Sequence, residues 1–513
     1  MPAPSVPPTY DAVVVGSGPN GLSAAITLAE AGRSVLVLEA AATAGGGLRT
    51  EELTLPGFRH DVFSAVHPAA AASPVFARWP LERHGLRWVH PELAAVHPVE
   101  GGRGGVLARD PHVTAASLDG LAPGDGERWL GFALPWLEHF RALRDTMLAG
   151  FPPVKGPLQL VGRFGVEGSL EFARLLLLAA RDLTDELFTS EGSAAWLWGA
   201  AMHSDVPPDG AGSAIAGVYL QLLGHAVGWP SPQGGAGAIA DALVAQLRAS
   251  GGELRTGARV EGLVARGGRV RGVRVAGHGE IAARQVLCDT SPQALLALAG
   301  EALPDAYARR LARFRSGPET VKLDWALDGP APWVAQAARR AGTVHVGGDA
   351  RAILETVEAA RGHRPAERPF LLFGQQSVAD PTRAPAGRHT AWAYTHVPPG
   401  VDWAVEGPRQ VERMEAQVEA FAPGFRDLIL ARHVLLPGEL ETRDANLRGG
   451  DVGGGSYGLD QLVFRPVPSL SPYRTALRGL YLCSASTFPG GAVHGVPGRA
   501  AARAAIWDAR LRR

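Results

Sequence analysis

Ala12-Val13-Val14-Val15-Gly16-Ser17-Gly18-Pro19-Asn20-Gly21-Leu22 decides the fold of this 513-residue chain. An apolar run enters a Gly-x-Gly-x-x-Gly turn, and Leu22, Ala25, Ile26 and Ala29 then recur at helical spacing. The first glycine permits the tight turn out of a strand, the second lets a pyrophosphate approach the backbone, and the third lets strand and helix pack closely. The helix N-terminus then presents unpaired N–H groups and a partial positive charge to the phosphates. A second strand, Ser34 to Leu38, ends at Glu39, 23 residues beyond Gly16. A carboxylate there accepts from an unphosphorylated ribose 2′-OH and disfavours a 2′-phosphate. Gly16, Gly18, Pro19, Asn20, Gly21 and Glu39 are therefore candidate dinucleotide contacts.

A second glycine cluster, Ala44-Gly45-Gly46-Gly47-Leu48-Arg49-Thr50, carries the backbone of Gly46, Gly47 and Leu48 past a pyrophosphate and aims Arg49 at the phosphates or an isoalloxazine edge. Gly234-Gly235-Ala236-Gly237 precedes a helix over 239–249, then strands near 259–266, 270–275 and 285–288 that end at Asp289-Thr290-Ser291-Pro292. Near the C-terminus a strand over 479–483 runs into Ser484-Ala485-Ser486-Thr487-Phe488-Pro489-Gly490-Gly491, and Pro497 opens a last helix to about Leu511. These three segments, in this order, resemble the FAD-binding oxidoreductases of the amine oxidase and phytoene desaturase clan, which includes carotenoid desaturases, isomerases and ketolases. The likeness is nearest to the subgroup described as pyridine nucleotide-disulphide oxidoreductase domain-containing protein 2. It implies FAD as cofactor, a backbone contact from Val260 to the adenine, and a flavin-side turn built from Ser484, Ala485 and Val493. The sequence departs from the family at Ser484, Ser486 and Phe488, where Gly, Gly and His are usual. Ala485, where amine oxidases often have an acidic group, favours the desaturase side.

The implied fold is α/β: a discontinuous FAD-binding Rossmann-like domain with an interleaved α+β substrate domain. The FAD-binding segments are expected at 10–100, 231–300 and 471–513, the helical part of the substrate domain at 101–230 and its sheet part at 301–470. Strands are expected at 320–327, 370–373 and 391–396, and one amphipathic helix over 170–187 with Leu170, Leu177, Ala180 and Leu187 on a packed face. The substrate pocket is expected between the two blocks, beside the segment holding Trp196 and Trp198.

Lys and Arg together number 50, as do Asp and Glu, so no global field recruits nucleic acid. Cys288 and Cys483 form no CxxC pair, which supports neither a redox dithiol nor a zinc knuckle, and no metal-ligand spacing stands out. Met1 to Thr9 is proline-rich without an apolar signal core, and the longest strongly apolar stretch, Leu175 to Ala180, is far short of a bilayer span. These features point to a cytoplasmic protein, with peripheral membrane contact as an open reading. Lys322, one of only two lysines, resembles the amine oxidase lysine that reaches flavin N5 through a water and is the catalytic candidate. His67 and His494 are the substrate-facing candidates.

The reading of function is FAD-dependent oxidation of C–H or C=C bonds in a hydrophobic small molecule, a carotenoid or other isoprenoid. Oxygen, a quinone or another carrier would accept the electrons. A flavin-dependent polyene isomerase and a flavin-binding partner protein are the alternatives. The sequence does not specify an oligomeric state.

Overall fold

The computed structural model describes residues 9–511, so all of the proline-rich opening except Thr9 lies outside the described residues. The chain begins β1 (Tyr10–Val15), α1 (Pro19–Glu30) and β2 (Val35–Leu38). β1 and β2 pair in parallel with Val14 opposite Val37. Both strands are nearly all buried, which is why they read as apolar runs instead of alternating patterns. The middle of the chain supplies β3 (Leu93–Pro98) and β4 (Gly104–Leu107). Then come α2 (Phe140–Met147), α3 (Lys155–Leu177), α4 (Ala180–Leu187), α5 (Glu191–Ala201), α6 (Ser213–Val227) and α7 (Gly237–Ala249). β5 (Glu253–Arg255), β6 (Val260–Arg266), β7 (Arg269–Val275) and β8 (Gly279–Cys288) follow, and then β9 (Glu319–Leu327), β10 (Ala341–Val346), β11 (Leu371–Gly374) and β12 (His389–Val397). α8 (Trp403–Phe421), β13 (Ile429–Leu435), β14 (Leu480–Leu482) and α9 (Val496–Arg510) complete the main elements.

These strands form two seven-stranded sheets. The first runs β6-β7-β8-β1-β2-β5, with β14 added to β8. Its centre is the parallel set β14, β8, β1, β2 and β5, contributed by distant parts of the chain. β8 serves twice: residues 279–282 pair antiparallel with β7, and residues 283–288 pair parallel with β1. The second sheet runs β13-β9-β12-β11-β10-β3-β4 and is mainly antiparallel, with α8 packed on it through Met414 and Val418.

Two expectations need correction. β3, placed in the first nucleotide segment by the 10–100 boundary, pairs with β10 and β4 in the second sheet, so the change of sheet comes before Leu93. A buried strand reads as apolar in either sheet, and its partners lie far away in sequence. The single helix over 170–187 is two helices: α3 ends at Leu177, Leu178 and Ala179 are extended, and α4 starts at Ala180. The carbonyls of Leu177 and Leu178 accept N–H bonds from Gly212 and Ala214 at the start of α6, which draws them out of a helical ladder. Leu170 and Leu177 are exposed, not packed.

α9 closes the first layer by lying against α1. A Cβ on Gly498 would stand 1.9 Å from the carbonyl oxygen of Asn20. Alanine favours a helix by about 1 kcal/mol over glycine, yet the clash cannot be relieved without separating the helices. Gly498→Ala is therefore expected to cost a net of about 1 to 3 kcal/mol and to lower the melting temperature; an equal or higher melting temperature would contradict this contact.

Candidate active site

The turn after β1 is built as its sequence suggests. Gly16 has φ +97° and its N–H donates to Leu38 O at 2.8 Å. A Cβ on Gly21 would lie 2.2 Å from Gly16 O, so strand and helix approach only with glycine there. α1 starts with Pro19 and carries no side-chain cap, which leaves its first N–H groups available. Gly18 and Gly46 meet backbone to backbone: a Cβ on Gly46 would sit 3.1 Å from Gly18 Cα.

Glu39 follows β2 and is held firmly. Oε2 accepts from the Ser17 N–H at 2.9 Å and the Ser17 hydroxyl at 2.7 Å, and Oε1 accepts from Ala41 N–H at 2.8 Å. A carboxylate has about four acceptor sites, so one remains for a hydroxyl. Arg49 donates to the carbonyls of Gly46 (3.0 Å) and Arg443 (2.7 Å), and its guanidinium lies 4.9 Å from the Phe63 ring centroid. Val260 opens β6 at a bulge that interrupts its ladder with β7.

One continuous cavity of about 990 Å³ runs from this turn to the second sheet. Gly16, Gly18, Pro19, Asn20, Glu39, Gly46, Gly47, Arg49 and Val260 line one end, with Ser484, Ala485 and Val493 beside them. Two expected contacts do not line it. Leu48 is wholly buried in the core, and Gly21 works behind the wall by packing and by donating its N–H to Asp289 Oδ2 at 2.8 Å. The two serines of the terminal turn keep negative φ, but Ala492 takes φ +73°, a rare backbone state for a residue with a Cβ.

At the other end, β9 and β12 present Thr320, Lys322, Trp392, Tyr394 and His396, and α6 presents Ile215, Tyr219 and Leu223. Trp196 and Trp198 are core residues of the helix beside the cavity: Trp196 packs edge-on to Trp129 and Trp198 donates to Thr184 Oγ1. The turn after α5, with His203 and Asp205, reaches the cavity.

Lys322 is buried on the cavity wall. Its Nζ donates to Asp324 Oδ2 at 2.5 Å and to Asp61 O at 3.1 Å. Burial pushes the Asp324 carboxyl up to about 6, against the pull of Lys322. His60 Nδ1 stands 3.7 Å from Asp324, but burial and the Lys322 charge bring that imidazole down to about 3, so the contact is not an ion pair at neutral pH. His67 bonds Ser64 Oγ through Nε2 at 3.0 Å, and burial lowers it to about 4. His494 also lines the cavity, with both ring nitrogens used within its own loop, by Gly491 O and the Val496 N–H. Burial lowers it to about 4 as well.

The arrangement fits a dinucleotide. Among the described residues, Asn20 Oδ1 and Thr290 Oγ1 are buried without partners at the turn end, and Tyr219 OH, Thr343 Oγ1 and His396 Nε2 at the sheet end. Among the described residues no group of three or more His, Cys, Asp or Glu is placed to hold a metal ion. Cys288 and Cys483 are free, buried and unpaired with each other, and burial pushes the Cys288 thiol up to about 12. No helix of the described residues is long and apolar enough to cross a membrane.

Sequence reasoning gave Asp289 no role, although its place at the end of a buried strand, before a Ser-Pro helix start, marks the same edge as Gly16. Its carbonyl and carboxyl pack on Gly16, Gly18 and Gly21.

Residues 14–79 match the family model described as NAD(P)-binding Rossmann-like domain. A rat protein, pyridine nucleotide-disulfide oxidoreductase domain-containing protein 2, is 31% identical over 98% of this chain and 94% of its own length. The zeta-carotene-forming phytoene desaturase of Myxococcus xanthus is 28% identical over 93% of this chain and 90% of its own. The solved cyclohexylamine oxidase of Brevibacterium oxydans superposes with a TM-score of 0.57 at 20% identity, covering 99% of this chain and 100% of that one, a likeness of fold.

Burial, with Asp444 and Glu39 adding to it, raises the Asp289 carboxyl to about 7, against the Gly21 hydrogen bond. A raised folded value favours the folded state fully below the unfolded value near 4, and that advantage is lost as pH rises through 7. Asp289→Asn keeps an acceptor for Gly21 and removes the titration. The stability of the wild-type protein relative to this variant is expected to fall by up to ~4 kcal/mol between pH 4 and pH 8. Parallel denaturation curves at both pH values would rule this out.

Proposed function

The chain belongs to the family of pyridine nucleotide-disulfide oxidoreductase domain-containing protein 2, and we propose that it is an FAD-dependent dehydrogenase of a hydrophobic small molecule, an isoprenoid or polyene. The observation that carries this reading is the single cavity that joins an uncapped helix N-terminus and a ribose acceptor to an apolar chamber beneath the second sheet. The Myxococcus relative, a phytoene desaturase by name, supports the same substrate class.

In this reading the backbone of Gly16, Gly18 and Gly46 and the start of α1 would hold the diphosphate. Glu39 would hold the ribose, and Ser484 to Ser486 with Val493 would hold the flavin side. Bound FAD would supply hydride acceptance. The protein residues bind, orient and exclude water. Ile215 and Leu223 offer apolar surface, and Tyr219 and Tyr394, whose phenols burial keeps neutral, offer shape without charge. His67, His203 and His396 are held neutral by burial, so general acid catalysis by an imidazolium is not available at pH 7. Lys322, fixed by Asp324 and Asp61, is among the described residues the one cation that the second sheet brings to the chamber wall, and it would order a water or a polar substrate group.

We place the protein in the cytoplasm, touching a membrane surface that dissolves the substrate. Exposed Leu158, Val166, Leu170 and Leu177 on α3 support that contact. Oxygen, a quinone or another carrier would reoxidise the flavin.

The purified protein is expected to be yellow with noncovalent FAD, and an isoprenoid substrate should bleach the flavin when mixed without oxygen. Bleaching only by water-soluble amines would refute the substrate class, and isomerised product formed only once the flavin has first been reduced would favour an isomerase. Glu39→Ala should weaken FAD retention by about 1 to 3 kcal/mol, read by dilution and ultrafiltration.

A further inference from the structure

Arg465 lies behind the cavity wall, completely buried, and forms no ion pair among the described residues. Its Nη2 donates to the carbonyls of Gly454 at 2.8 Å and Gly455 at 3.2 Å, while Nε and Nη1 have no partner. The guanidinium carbon sits 4.7 Å from the Tyr457 ring centroid and 5.8 Å from that of Phe314. Asp451 and Asp205, on the same side of the cavity, accept backbone N–H groups, Asp451 from Gly317, Gly453 and Gly455 and Asp205 from Tyr457, and neither forms an ion pair with Arg465. Two rings and two carbonyls are a weak substitute for hydration, and a buried cation is ordinarily paired. A guanidinium does not escape by losing its proton.

The surrounding chain is shaped to admit this charge. A Cβ on Gly490 would lie 2.7 Å from Nη1, and one on Gly455 would strike the Phe314 ring at 2.1 Å and Nη2 at 2.9 Å. Both glycines have positive φ. Gly453, Gly454, Tyr457 and Gly491 stand between Arg465 and the cavity, and Tyr457 OH accepts the Gly491 N–H at 2.6 Å. Gly490 lies five residues before Gly495, the cap of α9. A buried cation and the positive end of a helix thus act on the same terminal turn.

We propose that Arg465 is a positioning residue for the redox state of the cofactor: its unpaired charge adds positive potential at this turn and favours the more negative, reduced flavin. The inference rests on the FAD reading above. Two electrons pass from substrate to flavin as before; Arg465 exchanges neither electron nor proton and shifts only the balance between the two forms. The protein wall screens a charge one layer back less than solvent would.

The test is the two-electron potential of FAD bound to the full chain, measured by dye equilibration, with sulfite affinity as an anion-sensitive companion. Arg465→Met should shift the reduction equilibrium at least tenfold toward the oxidised form, which is about 30 mV, and should weaken sulfite binding to a similar degree. Arg465→Lys, which keeps the charge, should stay within threefold of wild type. Phe314→Glu supplies the missing carboxylate while leaving Arg465 in place; it should lower the potential as Arg465→Met does, and it carries the test if the methionine variant does not fold. Unchanged potentials in Arg465→Met or Phe314→Glu, or a lysine variant as low as the methionine one, would overturn the inference and leave Arg465 a structural clamp. A wild-type chain that takes up no FAD would overturn the cofactor reading first, and this inference with it.

Discussion

One buried carboxylate, Asp61, ties the nucleotide side to the second sheet at several points. Its Oδ1 accepts from the Thr50 hydroxyl at 2.8 Å and the Ala236 N–H at 2.7 Å, which joins the second glycine cluster to the entry of α7. Its Oδ2 pairs with Arg383 at 2.9 Å, and Arg383 in turn holds Asp380, which accepts from the Gly234 N–H. The Asp61 carbonyl takes Lys322 from β9. Removing one partner of such a buried pair typically costs about 3 to 5 kcal/mol because the other charge is left without solvation. The network therefore fixes how the nucleotide side faces the second sheet, and with it where Lys322 points.

Much of this fold was legible because its first sheet follows local rules. The apolar run over 12–15, the glycine spacing and Glu39 each predict their own neighbours, and the three nucleotide segments could be matched one by one. The Ser484 and Ser486 substitutions proved compatible with the turn because both keep negative φ, and the strained position fell on Ala492 instead. No local pattern marks a residue whose φ is imposed by the loops it joins.

What could not be read depends on distant partners. Leu93 to Pro98 looks like any buried strand until β10 lies beside it. The run from Leu170 to Leu187 has helical period on both sides of its break, and the break exists because Gly212 and Ala214 claim two carbonyls. Trp196 and Trp198 mark the helix beside the cavity, but Trp129 and Thr184 hold both rings in the core, and the less conspicuous α6 forms the wall. Lys322 was recognisable by rarity; Asp324 and Asp61, which hold it, were not.

The electrostatics of the cavity follow from burial more than from the list of charged residues. Glu39, Asp289 and Asp444 surround the turn end, an arrangement that would repel a diphosphate if all three were ionised. Burial raises Asp289 and Asp444, so both favour the neutral form relative to an exposed carboxyl. A bound diphosphate would push Asp289 further toward protonation, because like charges at short range cannot all ionise. Asp289 Oδ2 already accepts the Gly21 N–H, which leaves Oδ1 to carry that proton. The same burial removes charge from the histidines at the sheet end. The cavity thus offers Arg49, Glu39 and a helix N-terminus at the turn end, and uncharged histidines beside Lys322, Asp205 and Asp451 at the sheet end.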